Sequence, residues 1–135
     1  MSGGRRGQRR AAVFLLYQRD LTAADVDELY DGYERDNGVP AGEFVRARVE
    51  GVWDDRDRLD AEIDASAQGW TSDRMAPLER SILRLAVWEL LRADVPPAVA
   101  IDEAVALAKR YASPEAASLV NGVLGSVARR QGVGR

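Results

Sequence analysis

Four arginines, Arg5, Arg6, Arg9 and Arg10, stand within six residues near the head of the chain. On a helix, Arg5 neighbours Arg9 and Arg6 neighbours Arg10. Like charges at that spacing cost an isolated helix about 0.2–0.5 kcal/mol per pair, so the arrangement calls for a counter-anion. A phosphate backbone supplies one, because guanidinium groups hold phosphate in a forked geometry and stack on exposed bases. Tyr17, one to two turns further on, extends that surface as a stacking platform. Two facts weigh against this reading. The chain carries 18 arginines and one lysine, Lys109, so arginine is its ordinary base and a short basic end is commonly just solvated. An aromatic at the end of an apolar stripe is also more often core than platform.

The residues that are missing narrow the chemistry further. With no His and no Cys there is no imidazole base, no thiol nucleophile, no Cys/His zinc site and no disulfide. The acidic ladder from Asp54 to Asp64 could in principle pair carboxylates for catalysis or a metal. It lacks the Glu-x-x-His pattern of bundle di-metal sites, and its interleaved arginines compete for the carboxylates, so a solvated, self-paired helix face is expected. No Gly-rich phosphate loop or serine elbow occurs. The expectation is a protein without catalysis, cofactor or metal.

Charge is segregated along the 135 residues. The formal net charge of -3 divides into +5 over residues 1–19, -10 over 20–75 and +2 over 76–135. The length fits one compact domain. The apolar run Ala11 to Tyr17 is too short to span a membrane and has no cleavage site behind it, so a cytoplasmic protein is expected.

The elements that must position these residues are all helical, since apolar residues recur at three and four and nothing alternates as a strand. A first helix is predicted over about Arg6 to Arg19, burying Val13, Phe14, Leu16 and Tyr17. Thr22 and Asp25 resemble a capping box for a second, which stops at Asp36-Asn37-Gly38-Val39-Pro40. A third, continuous from about Ala41 to Ala67, lines Phe44, Val45, Val49, Val52, Leu59 and Ile63 on one stripe. Gly69 to Ala76 then divides the chain into sub-bundles of about 5–68 and 70–130, with Trp70 at the corner. The fourth helix, Pro77 to Ala93, carries too many apolar residues for a single stripe and is therefore expected to be central, surrounded by neighbours. A fifth runs from Val99 to Tyr111, and Ser113-Pro114-Glu115 starts the last. The ends, 1–4 and 131–135, should be flexible. Trp53 and Trp88 are expected in the core. Asn121-Gly122 inside a helix costs on the order of 1 kcal/mol for the glycine, which points to close helix packing or a local role.

Three segments take the reading further: Leu78 to Leu90 (LERSILRLAVWEL), Val95 to Lys109 (VPPAVAIDEAVALAK) and Leu119 to Leu124 (LVNGVL). With the arginine-rich start running into Ala12-Val13-Phe14-Leu15-Leu16-Tyr17-Gln18, they resemble, in order and spacing, the signature blocks of the NusB family of bacterial transcription antitermination factors. The likeness covers about residues 5 to 130. It implies an all-α fold of two packed three-helix bundles. It also implies binding of the single-stranded boxA element of nascent ribosomal RNA together with NusE, a small-subunit ribosomal protein, in a complex that lets RNA polymerase resist termination.

Carried over by position, the resemblance places RNA contacts on Arg5, Arg6, Arg9 and Arg10, with Tyr17 at the RNA and partner side. Glu79 matches an acidic position facing NusE, and Glu115 and Leu119 match a further RNA-proximal patch. Some members form homodimers. The chain departs from the pattern where Gly7 and Gln8 interrupt the basic run, where Leu119 replaces an aromatic of some relatives, and where Glu115 replaces an aspartate. The alternative is a helical protein–protein adaptor with no direct RNA contact. A third possibility, part of the ribosomal RNA methyltransferases that carry a NusB-like domain, requires a Gly-rich cofactor segment that these residues lack.

Overall fold

In the computed structural model, residues 4–67, 69 and 74–133 are described. They form helices α1 (Arg5–Thr22), α2 (Val26–Asn37), α3 (Glu43–Asp54), α4 (Arg56–Ser66), α5 (Pro77–Arg92), α6 (Pro97–Tyr111) and α7 (Pro114–Arg130), with no strand among the described residues. The all-α expectation holds. Trp70 and Thr71 to Asp73, which were expected to turn the chain, lie outside the described residues.

Helix α5 is the central element, as its excess of apolar residues over a single stripe demands. Every residue from Ser81 to Leu90 is buried, and α1, α3, α4, α6 and α7 all pack against it. Proline opens α5, α6 and α7, where its missing N–H costs nothing. Ser113 caps α7 through its hydroxyl, which accepts from the Ala116 N–H at 3.0 Å. Helix α2 ends at Gly38, whose φ of 78° is left-handed, as the turn cluster predicted.

Several expectations are corrected. The helix expected over Ala41 to Ala67 is two helices, broken at Asp55 (φ -95°, ψ 8°). Asp54 and Asp55 would sit at the negative end of α3, whereas Asp55 and Asp57 suit the positive start of α4. The break also lets Leu59 and Ile63 face α5 and α7, while Val45, Val49 and Val52 belong to the helix that packs on α1. By its packing, α4 groups with the later helices. No capping box forms at Thr22. That residue ends α1, its hydroxyl donating to the Gln18 carbonyl at 2.7 Å and accepting from the Ala24 N–H, and Asp25 caps α2 without a side-chain bond. The acidic face is not simply self-paired, because Asp60 reaches Arg84 of α5 and Glu62 reaches Arg130 of α7. At the far end, Gln131 to Val133 fold back. Gly132 takes φ 70°, the Val133 N–H donates to Ala128, and Val133 packs on the core.

Glycine packing is also placed differently. A Cβ on Gly122 would meet nothing within 4 Å, so close helix approach is not its role. The close approach is at Gly51 of α3, where a Cβ would lie 2.7 Å from Cζ2 of Trp88. Trp88 is buried as expected, while Trp53 is half-buried with the guanidiniums of Arg19 and Arg56 at 4.6 and 4.3 Å from its ring.

Candidate nucleic-acid interface

Helix α1 begins at Arg5, so the four arginines occupy its first turn and a half and are fixed relative to the core by Ala12, Val13, Leu15 and Leu16. Helical spacing then separates them. Arg9 lies on the buried side with 7% exposure, whereas Arg5 and Arg6 are exposed and Arg10 is half-buried.

Arg9 is one side of a buried Arg–Glu–Arg cluster. Its Nε lies 3.1 and 3.2 Å from the two carboxylate oxygens of Glu89, which is 1% exposed on α5. Arg48 of α3 donates to the same carboxylate from Nε at 2.9 Å and Nη2 at 2.8 Å. One carboxylate thus ties α1, α3 and α5 together. Two opposite charges flank Glu89, and its lone pairs are taken by charge-assisted hydrogen bonds, which lets a charge survive in the core. In this arrangement the Arg9 guanidinium faces Glu89 and is not offered to solvent.

The remaining three arginines differ in their engagement. Arg5 donates to Gln8 Oε1 at 2.6 Å and stands 4.2 Å from the Phe44 ring centre, on which Arg48 is also stacked at 3.6 Å. Arg6 forms a fork on Glu103 of α6, Nε to Oε2 and Nη2 to Oε1 both at 3.1 Å. The hydrogen bond to Glu103 and its charge raise the Arg6 pKa. Arg10 has no ion-pair partner among the described residues and lines a depression between α1 and α2.

The other expected residues are distributed around the molecule. Tyr17 is half-buried, its ring 6.4 Å from that of Phe14 in an edge contact, and Phe14 meets Tyr111 at 5.1 Å. Glu79 is half-buried in the first turn of α5, beside Arg80, which grips Asp20 of α1 at 2.6 Å. Glu115 is exposed in the first turn of α7. Leu119 is half-buried in a shallow depression with Ser66, Gly122 and Arg129, and none of the lining residues there is an arginine of α1. Phe44, Arg48 and Glu89 had not been picked out as site residues. Their signals were present: Arg48 interrupts the Val45, Val49, Val52 stripe, and Glu89 is an acid inside the apolar run Leu85 to Leu91.

Among the described residues no group of three or more acidic, His or Cys side chains could hold a metal, and no helix is long and apolar enough to cross a membrane. What this surface offers is cationic and aromatic, which suits an anionic polymer with stackable bases.

Residues 6–129 match the model of the NusB family. The chain belongs to the NusB family. It is similar to the transcription antitermination protein NusB of Rubrobacter xylanophilus, with 43% identity over 89% of this chain and 86% of that one. The NusB of Saccharopolyspora erythraea is also 43% identical, over 93% of this chain and 87% of that one. Among solved structures it resembles a chain of a complex of the antitermination factors NusB and NusE with double-stranded RNA. There the TM-score is 0.83 at 28% identity, over 93% of this chain and 96% of that chain. A transcription antitermination role follows for this NusB-family chain.

Proposed function

We propose that this chain binds the boxA element of nascent ribosomal RNA jointly with NusE, inside a polymerase-bound antitermination complex in the cytoplasm, and has no catalytic step of its own. The observation that carries the reading is the divided arginine head of a NusB-family chain. Arg9 anchors α1 to Glu89, and the anchored helix turns Arg5, Arg6 and Arg10 outward. Three guanidiniums on a rigid helix hold phosphates at fixed spacing, with less ordering cost than the same residues on a loose tail. Arg9 therefore acts as the anchor, and the phosphate contacts fall to the other three.

Tyr17 extends this face toward the partner, Glu79 presents a carboxylate to basic NusE, and Glu115 with Leu119 forms the further RNA-proximal patch. Glu115, at the start of α7, is placed to accept from an amino group of a base. The acidic body discourages RNA from settling elsewhere and complements a basic ribosomal protein.

The test is binding of the full chain to boxA RNA and to a scrambled RNA, with and without NusE. Preference for boxA that strengthens with NusE is expected. Replacing Arg5, Arg6 and Arg10 together with Ala should weaken binding to both RNAs, since phosphate contacts carry no sequence information, while helicity and NusE binding persist. Equal binding to both RNAs overturns sequence recognition. Retained NusE binding with no RNA contact at all favours the adaptor reading.

A further inference from the structure

Two depressions flank the outward arginines, one of about 840 Å³ between α1 and α2 and one of about 600 Å³ between the start of α1 and the start of α3. They share Tyr33 and Val39, so together they make one path along the side of α1, and Tyr33 of α2 stands where they meet. Tyr33 is half-buried, packed against the core at one side and lining the path at the other.

The two walls of the path differ in charge. Arg5 and Arg10 supply the α1 wall, Arg5 backed by the Phe44 ring at 4.2 Å. Glu28 and Asp36 of α2 and Glu43 of α3 lie on the opposite wall and outnumber its basic residues, the exposed Arg35 of α2 and Arg48 of α3, the latter turned to Glu89. A strand laid here is sorted by that polarity. Its phosphates are drawn to α1 and repelled from α2, which turns the bases toward α2 and toward the Tyr33 ring. The carboxylates that repel phosphate accept hydrogen bonds from the amino groups of bases.

We infer that Tyr33 is a stacking platform for one unstacked base of the bound RNA strand, with the backbone running over Arg5 and Arg10. This rests on the RNA-binding reading above and adds a residue to it. Stacking suits a half-buried tyrosine, because the ring is held in place by packing before the base arrives and every base has a face to offer.

The test uses the full chain with NusE and a single-stranded boxA RNA, measured over a salt series. Stacking is worth about 1–3 kcal/mol per base, so Tyr33→Ala should weaken binding by about 5- to 150-fold. A stacked base releases no counterions, so the salt slope should stay unchanged, whereas Arg10→Ala should lower it. Tyr33→Phe, which keeps the ring, should bind within twofold of the parent. Independently of folding in any variant, RNA carrying 5-iodouridine at successive positions should photocrosslink to Tyr33 of the unaltered chain. Binding by Tyr33→Ala within twofold of the parent, a slope that falls with it, or crosslinks that never map to Tyr33 overturn the inference while RNA binding itself stands. Absence of any RNA binding by the unaltered chain overturns both.

Discussion

Glu89 holds two guanidiniums in the core, and the three side chains depend on one another. Removing one partner of a buried ion pair strands the rest and typically costs about 3–5 kcal/mol, so Glu89→Gln should lower unfolding free energy by roughly that amount in chemical denaturation. A loss below about 1 kcal/mol would show that Arg9 and Arg48 escape to water. Glu103 behaves oppositely. Its carboxylate occupies the fork of Arg6 as a phosphate would, but at the surface, where such pairs contribute little. Glu103→Gln should leave stability nearly unchanged and tighten RNA binding by up to about fivefold, read by titration at low salt. Weaker binding would show that Glu103 orients Arg6 for RNA instead of competing for it. The four arginines were visible in the sequence as one basic head. Their division was not, because the side of α1 that is buried depends on where α5 and α3 lie, and Arg9 differs from its neighbours only through the distant Glu89.

At the level of elements, the sequence located most helices because their starts and stops are written in local chemistry: Pro77, Ser113-Pro114, Gly38. The break at Asp55 was hidden because apolar residues continue on both sides of it; both helices pack on α5, and the change of second partner from α1 to α7 makes two helices of one stripe. The same limit applied to glycine. Gly122 drew attention by lying next to Asn121, whereas the tight contact is at Gly51 against Trp88, a pair brought together by tertiary structure. Gly122→Ala should therefore stabilise by up to about 1 kcal/mol through helix propensity. Gly51→Ala should destabilise, since overpacking a core costs typically about 1–3 kcal/mol. Thermal melts of the two variants decide it, and the same sign for both would contradict the packing.

Helix α2 is held on α3 partly by the Tyr30 hydroxyl, which donates to Glu50 at 2.8 Å. Burial, then the bond to Glu50 and its charge, push this phenol above its ordinary 10.0. A group whose pKa rises on folding contributes stability that is complete below the unfolded value and is lost as pH climbs past it. Stability should thus fall more steeply above pH 10 in the parent than in Tyr30→Phe, measured by denaturation at a series of pH values. Parallel curves would show that Tyr30 ionises freely in the folded chain.

Across the whole molecule, the net charge of -3 conceals a head of one sign and a body of the other. Several body arginines are paired within the fold, Arg48 on Glu89, Arg80 on Asp20, Arg84 on Asp60 and Arg130 on Glu62, whereas Arg5 and Arg10 of the α1 face have no ion pair among the described residues. The central claim is that three arginines of that face, and not four, neutralise RNA phosphates. The salt dependence of boxA RNA binding counts them directly, at about 0.7 of a slope unit per phosphate on a single strand. The account predicts a slope of log affinity against log salt near about -2 from the arginine face, unchanged in a folded Arg9 variant that removes the charge, such as Arg9→Met, and lowered by loss of Arg5, Arg6 or Arg10. A slope near zero, or one that falls only when Arg9 is changed, would contradict it.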